Sequence, residues 1–152
     1  MAIAGSMDFY IEMVRMRERL GTMGIRTLIP DGHEFYASFD SAKVFEAYKR
    51  QISMHYLDQI RHWITSSLFV LNFDRHGIRS YIGPSTFAEI AVAAVHRKRI
   101  YVISDYPDQY EDELRAWEVV PLYGRLDQLV HDYEETIGGW QPCQKQLIFP
   151  GF

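Results

Sequence analysis

The chain has almost no cysteine, no long apolar run and no excess of positive charge. Its single cysteine, Cys143, excludes an internal disulfide bond and a metal site built from several thiolates. It also favours a reducing, cytoplasmic setting. No run approaches the ~20 apolar residues that a membrane span needs, and no basic segment followed by an apolar core opens the sequence. We therefore expect a cytoplasmic protein that does not enter a membrane.

The charge balance limits the classes of partner. A formal net charge of -4 gives no reason to expect polymeric nucleic acid or an anionic membrane surface. The six histidines form no HExxH motif or similarly spaced cluster, so we expect no metal site and no cofactor. A small phosphate-bearing ligand stays possible, because backbone amides and one or two arginines can hold a phosphate locally.

Apolar segments alternate with helical periodicity along the 152 residues, without an internal repeat or a linker. This indicates a single domain that spans residues 1–152, with 139–152 as a C-terminal tail. Five short strands separated by helices predict an α/β fold with a doubly wound, mostly parallel sheet in three layers. The predicted strands are 2–4, 25–30, 67–73, 99–104 and 119–122, and the longest helical pattern between them covers 41–65.

Polar and small residues follow several of these strands. In a doubly wound sheet, ligands bind outside the carboxyl ends of the strands, at the point where the strand order reverses. Asn72 and Asp74 end the third predicted strand, where either side chain can bond a ribose hydroxyl, and Asp74 can equally cap the following turn. The loop after the first strand supplies further candidate ligand contacts, namely Gly5, Ser6, Met7 and Asp8.

The segment GPST at 83–86 is typical of a helix start. Ser85 or Thr86 can cap the helix, and Pro84 fits just outside it or in its first turn. The amides exposed there, together with the positive end of the helix dipole, also make a seat for phosphate, which would include Gly83. The plain cap and the phosphate seat are both open at this stage.

Glu89 is the single carboxylate in a helix that is otherwise apolar or small. It lies three residues after Thr86 and four after Ser85, so the three share one helix face. One interpretation is a capping box formed by Thr86 and Glu89. The other is a partly desolvated nucleophile or general base in a ligand cleft.

A second acidic candidate lies in the long helical pattern. Asp58 follows His55 by three residues and shares its helix face. Such a pair is more often solvated, or placed behind a site, than catalytic.

Three segments resemble the nucleoside 2-deoxyribosyltransferase superfamily, which includes the nucleotide N-glycosidases that hydrolyse deoxynucleoside monophosphates. They are IAGSMDF, HYLDQIRHWITSSLFVLNFD and GIRSYIGPSTFAEIAVAAVHRKRIYVIS. The likeness runs from residue 2 to about residue 126 and is strongest between 71 and 104. It implies a flavodoxin-like five-stranded sheet, a nucleoside or nucleotide as substrate, and assembly as a homodimer or larger homo-oligomer.

The resemblance also assigns roles to residues. Glu89 falls at the position of the glutamate that attacks the anomeric carbon of the sugar and releases the base. Ser85 matches the position that holds a 5'-phosphate, and Asp74 lies near an acid that contacts the sugar or the base. Asp58 aligns loosely with a helix aspartate of the hydrolase branch. Gly5 and Ser6 match the ligand contacts of the first loop.

Two function classes follow from these observations. The first is an enzyme that cleaves the N-glycosidic bond of a nucleoside or nucleoside 5'-monophosphate, as a hydrolase or a 2-deoxyribosyltransferase. Asp74, Tyr81 and Asp8 are then candidates to assist the departing base. The alternative is a module on the same fold that binds or senses a nucleotide without turnover.

Overall fold

The computed structural model describes residues 1–32 and 38–138, in which strands and helices alternate. The four strands are β1 (Ala2–Gly5), β2 (Ser67–Leu71), β3 (Arg99–Val102) and β4 (Val120–Pro121). The five α-helices are α1 (Tyr10–Thr22), α2 (Ala42–Arg61), α3 (Pro84–Val95), α4 (Glu111–Ala116) and α5 (Asp127–Gly138). Two short 3-10 helices precede α1 and α4, at Met7–Phe9 and Asp108–Tyr110. The predicted tail 139–152, with Cys143, lies outside the described residues.

The sheet is parallel throughout, in the order β1-β2-β3-β4. Gly5 at the end of β1 pairs with Leu71 at the end of β2, and Val70 pairs with Val102 of β3. The carboxyl ends of β1, β2 and β3 therefore meet at one edge of the sheet. The predicted α/β class is confirmed, and the sheet is compatible with a flavodoxin-like fold.

The prediction of five strands is wrong, because segment 25–30 forms only an isolated bridge to β1. The Leu28 amide donates to the Met1 carbonyl at 2.9 Å, and the Ile3 amide donates to the Leu28 carbonyl at 2.8 Å. The next parallel bond would run from residue 30 to the Ile3 carbonyl, but Pro30 has no N–H to donate. The Tyr56 hydroxyl of α2 donates to this carbonyl instead. Pro30 thus ends the pairing of segment 25–30 with β1, and the Tyr56 hydroxyl replaces the missing backbone donor.

The core divides between the two faces of the sheet. Ile3 and Phe69 belong to one cluster of buried side chains, whereas Ala4 and Val70 belong to the other. Every residue of β2 is buried. A continuous apolar run, as opposed to an alternating one, is what a strand covered on both faces requires.

Helix α1 packs against one face of the sheet. In α1, Met13 and Leu20 are buried, and Gly24 adopts φ 77° just after the helix ends. The pattern at 41–65 forms one helix, α2, whose first turn is capped by the Ser41 hydroxyl accepting from the Val44 amide at 3.3 Å. None of the helices in the described part of the chain is long and apolar enough to cross a membrane.

Candidate active site

A cavity of about 280 Å³ opens at the carboxyl ends of β1 and β2. Its walls come from the loop after β1, the loop after β2, the start of α3 and one face of α2. This volume lies just below the ~300–1,000 Å³ that is usual for small-molecule pockets. Most of the residues predicted as ligand contacts line it, together with the predicted nucleophile: Gly5, Ser6, Met7, Asp8, Gly83, Ser85, Thr86 and Glu89.

Gly5 is required by the close approach of two strands. A Cβ at this position would lie 2.9 Å from the carbonyl oxygen of Leu71 and 3.0 Å from the terminal methyl carbon of Met13. The first contact is with backbone, which cannot move aside without disturbing β2. Gly5 therefore lets β1 run against β2 up to the cavity floor.

Ser6 and Asp8 shape the first loop. The Ser6 hydroxyl accepts from the Asp8 amide at 3.3 Å and so caps the 3-10 helix Met7–Phe9. This cap fixes the loop at the point where it turns away from β1. The Asp8 side chain is half exposed at the cavity mouth and pairs with Arg75.

The prediction that Ser85 or Thr86 caps α3 is wrong. The N-cap is Gly83, Pro84 is the first helical residue, and none of the side chains that the structure describes caps the helix. Proline suits this first position because its φ is already helical and its missing N–H is one that no helix bond needs. Ser85 and Thr86 lie in the first turn instead, Ser85 exposed and Thr86 buried.

The start of α3 also excludes the capping box. Such a box needs its glutamate at the third helical position, and here Thr86 occupies that position. Glu89 is one turn further along. Its Oε2 is sealed from solvent and has no hydrogen-bond partner among the described residues. Burial raises the pKa of Glu89 from its usual 4.5 to about 8.

Tyr56 is a cavity residue that sequence reasoning missed. Burial, and then the charge of Glu89, raise the pKa of its hydroxyl well above 10, against the lowering effect of the bond to Ile3. The tyrosine therefore stays neutral, and its hydroxyl donates its one hydrogen bond to the Ile3 carbonyl. Tyr56 therefore contributes no charge that could stabilise the ionised form of Glu89.

Arg75 supplies positive charge to the cavity and was also missed. It opens a two-residue hairpin turn, in which Arg75 and Ile78 exchange backbone hydrogen bonds of 2.9 Å. The turn residues His76 and Gly77 have φ values of 48° and 78°. Positive φ at both central positions is typical of a type I' turn, which favours glycine at the second position. The glycine in DRHGIR is therefore a signal for this turn in the sequence.

The guanidinium of Arg75 is held on two sides. Its Nε pairs with the Asp8 carboxylate, and the group lies 4.8 Å from the centre of the Tyr81 ring. Its two terminal nitrogens form no hydrogen bond with the described residues. Tyr81 itself approaches the start of α3, because a Cβ on Gly83 would lie 3.0 Å from the tyrosine hydroxyl. The Arg75 guanidinium, whose terminal nitrogens bond to none of the described residues, thus lies near the amino end of α3.

Two predicted contacts are used for the scaffold and do not line the cavity. Asn72 is fully buried; its amide nitrogen donates to the Asp105 carbonyl at 2.8 Å, and its amide oxygen accepts from the Ser104 amide at 3.0 Å. It joins the loop after β2 to the loop after β3. Asp74 accepts from the Ser80 amide at 2.9 Å and closes the hairpin loop. That bond matches the turn-capping interpretation of Asp74.

Asp58 lies outside the cavity. Its carboxylate pairs with Arg61 at 2.8 Å, and both side chains are more than half exposed. The neighbouring His55 contacts Gln59 at 3.1 Å on the same outer face of α2. This is the solvated pair that the spacing of His55 and Asp58 indicates.

The cavity can do acid and base chemistry with carboxylates, but it offers no cluster of metal ligands. Among the residues that the structure describes, no three His, Cys, Asp or Glu side chains lie together in a group able to hold a metal ion. The charged and titratable groups that line the cavity are Asp8, Asp31, Lys49, Tyr56, Arg75, Tyr81 and Glu89. Of these, Glu89 is the one with a carboxyl oxygen that is sealed from solvent and has no hydrogen-bond partner among the described residues.

Similarity to known proteins adds nothing to this geometry. No family model, curated protein or solved structure matches the chain.

Proposed function

We propose that this protein cleaves the N-glycosidic bond of a nucleoside or nucleoside 5'-monophosphate, with Glu89 as the nucleophile. The observation that carries the proposal is the carboxyl group of Glu89, which lines the cavity while one of its oxygens is buried and has no hydrogen-bond partner within residues 1–32 and 38–138. A buried polar atom without a partner costs about 1–3 kcal/mol. Such a cost is expected where the group awaits a ligand.

The chemistry needs a carboxylate and little else. The Glu89 carboxylate attacks the anomeric carbon, the bond from that carbon to the base nitrogen breaks, and the base leaves with the electron pair and takes up a proton. Water then attacks the same carbon, which frees the sugar and regenerates the carboxylate; in a transferase a second base attacks instead. The positive charge that develops on the sugar in both steps is stabilised by the carboxylate.

Positive charge in the cavity supports a 5'-monophosphate as the substrate. Within the described part of the chain, the terminal nitrogens of Arg75 form no hydrogen bond and no side chain caps the start of α3. A phosphate held between them would be bound by a guanidinium and by helix amides, both of which favour anions. Glu89 lies on α3 one turn beyond this point, where the sugar of the same molecule would be expected.

The finer fold assignment belongs to the same proposal. A flavodoxin-like, doubly wound, three-layered arrangement would account for two apolar sheet faces and for a cavity at the point where strand order reverses. Membership of the nucleoside 2-deoxyribosyltransferase superfamily would explain both this arrangement and the position of Glu89 on the helix that follows β2.

The first experiment is a panel of ribo- and deoxyribonucleosides and their 5'-monophosphates, with release of free base as the readout. We expect release from at least one substrate, and a loss of at least a hundredfold in kcat for Glu89→Gln, which keeps the shape but removes the nucleophile. Glu134→Gln is the matched control, because Glu134 is exposed on α5 and lies outside the cavity. Equal release by the wild type and Glu89→Gln would remove Glu89 from the mechanism.

The pH profile separates two roles for the same carboxyl. A nucleophile must be ionised, so kcat/KM should rise as the pH passes through about 8, the pKa of Glu89. A general acid would give the opposite slope. A rise that disappears in the Glu89→Gln background supports the nucleophile.

The raised pKa also favours a second candidate function. With a pKa of about 8, the carboxyl is mostly protonated at neutral pH, and a protonated carboxyl can donate a hydrogen bond to a ligand. A nucleotide-binding module without turnover would use Glu89 in this way. Nucleotide binding by calorimetry, together with no base release from any member of the panel, would favour the binding module.

A further inference from the structure

A groove of about 660 Å³ lies between the carboxyl ends of α3 and α4. This volume is within the ~300–1,000 Å³ that is usual for small-molecule pockets. The candidate active site lies at the opposite, amino end of α3, a helix of 12 residues and therefore about 18 Å long. The two cavities share none of their described lining residues. The groove is thus a second, separate cavity.

One part of the groove is apolar. Ala91, Ala94 and Val95 line it from α3, and their spacing of three and four residues places them on one helix face. The Trp117 side chain lines the groove from the end of α4 and is partly buried. Its ring packs against Phe87, with ring centres 5.3 Å apart. These side chains offer a ligand an apolar and partly aromatic surface.

The remaining part of the groove is positively charged, although the chain has a formal net charge of -4. The consecutive cations Arg97, Lys98 and Arg99 line it, against the single carboxylate of Glu118. Arg99 pairs with Asp132 at 3.3 Å. Arg97, Lys98 and Glu118 belong to none of the ion pairs among the described residues. Two cations beside the apolar surface are therefore available to an anion.

Arg97 and Glu118 occupy the same backbone position at the ends of the two helices. Each follows the helix cap in a left-handed conformation, with φ values of 53° and 56°. The Arg97 amide donates to the Ala94 carbonyl at 2.9 Å, and the Glu118 amide donates to the Arg115 carbonyl at 3.1 Å. Glycine is the usual residue at this position, because a Cβ is unfavourable there. Strained residues of this kind concentrate at functional sites, and here both line one groove.

We infer that this groove binds a small organic anion, with an aromatic or apolar body against Ala94 and Trp117 and a carboxylate or phosphate on Arg97 and Lys98. The guanidinium of Arg97 can donate two parallel hydrogen bonds to the oxygens of such a group, and Lys98 adds a point charge. The Glu118 carboxylate disfavours a second negative charge at its side of the groove. The ligand would therefore carry its charge at one end. The inference does not depend on the proposed reaction.

Isothermal titration calorimetry with three probes of the same body tests the chemistry of the ligand. The probes are 2-naphthoate, 2-naphthyl phosphate and the neutral 2-naphthol, added to the full chain at pH 7. We expect one molecule of at least one anion to bind per chain, and 2-naphthol to bind at least tenfold more weakly. The affinities of the two anions distinguish a carboxylate from a phosphate ligand. No binding of either anion, or equal affinity for 2-naphthol, would overturn the inference.

Two glycine substitutions test the place of binding. Arg97→Gly and Glu118→Gly relieve the same backbone strain, so both should raise the midpoint of urea unfolding. Arg97→Gly should nevertheless weaken binding of the anion at least fivefold, whereas Glu118→Gly should bind it as tightly as the wild type or more tightly. Arg97→Asn, which also tolerates the left-handed conformation, should repeat the loss.

Two results would contradict this assignment. Equal weakening by Arg97→Gly and Glu118→Gly would mean that the shape of the groove matters and its positive charge does not. Binding that is lost in Arg75→Ala and kept in Arg97→Gly would place the anion in the candidate active site.

Discussion

At the scale of single residues, Glu89 carries both an energetic cost, because its carboxyl is buried, and the proposed role of nucleophile. Burial of its carboxyl raises its pKa to about 8. Between its ordinary value of 4.5 and this value, the folded chain holds a proton that the unfolded chain releases. Stability should therefore fall as the pH rises through this window, by at most ~1.4 kcal/mol per pH unit from this group.

Replacing Glu89 by glutamine should remove this loss. We expect Glu89→Gln to match the wild type in urea denaturation near pH 5 and to become progressively more stable than it between pH 6 and 8. Glu134→Gln should show no such divergence, because this exposed carboxyl has no burial to relieve. A wild type and Glu89→Gln that keep a constant difference across this range would show that the carboxyl is not buried as described.

At the scale of elements, the junction of segment 25–30, β1 and α2 depends on one substituted hydrogen bond. Pro30 cannot donate to the Ile3 carbonyl, and the Tyr56 hydroxyl does so instead. Tyr56→Phe leaves that carbonyl unpaired and should cost about 1–3 kcal/mol of unfolding free energy. Pro30→Ala restores a backbone donor at the position where the parallel ladder would continue.

A double-mutant cycle measures this substitution. We expect Tyr56→Phe to cost less in the Pro30→Ala background than in the wild type, by about 1 kcal/mol, when unfolding is followed in urea. Tyr123→Phe is the control, because the Tyr123 side chain is 65% exposed in the loop before α5. Additive costs of the two changes would mean that residue 30 cannot supply the missing bond.

Sequence patterns predicted the strands that are buried on both faces. They failed where a single hydrogen bond decides how a strand or a helix begins or ends. β2 and β3 lie within predicted segments, and β1 extends its predicted segment 2–4 by Gly5, because buried parallel strands need continuous apolar runs. Segment 25–30 has the composition of a strand, but Pro30 stops its pairing after Leu28. The cap of α3 was misplaced because a glycine before a proline gives the same helix start without a side-chain oxygen.

The candidate site was predictable in part for a similar reason. Gly5 ends β1, Asp8 follows in the short helix Met7–Phe9, and Glu89 lies near the start of α3. Their places at the cavity can be predicted from their spacing along the sequence. Arg75 and Tyr56 reach the cavity through a hairpin turn and a distant helix, whose placement depends on tertiary packing. Asn72 follows β2 directly, yet its side chain turns to the backbone of the next loop.

At the scale of the whole molecule, the fold brings charges of both signs to one end of the sheet. Arg75 is anchored by Asp8 from another loop, so its orientation depends on the assembled sheet and not on its own turn. We expect Arg75→Ala to weaken binding of a nucleoside 5'-monophosphate tenfold or more, in line with ~1.5–3 kcal/mol for a hydrogen bond to a charged group. Binding of the corresponding nucleoside should change much less.

Isothermal titration calorimetry of both ligands measures this difference. Arg79→Ala is the matched control, since Arg79 is exposed in the same loop and does not line the cavity. Equal losses for nucleotide and nucleoside would mean that Arg75 shapes the loop and does not bind the phosphate.

The central claim is that Glu89 forms a covalent bond to the sugar. A 2-fluoro-2-deoxy nucleoside or its 5'-monophosphate slows the release of a glycosyl-enzyme, because fluorine destabilises the positive charge that develops on the sugar. After brief incubation, acid quench and proteolysis, mass spectrometry should find one glycosyl unit on the peptide that contains Glu89, and none in Glu89→Gln. Base release without such an adduct, or an adduct on another residue, would contradict the account.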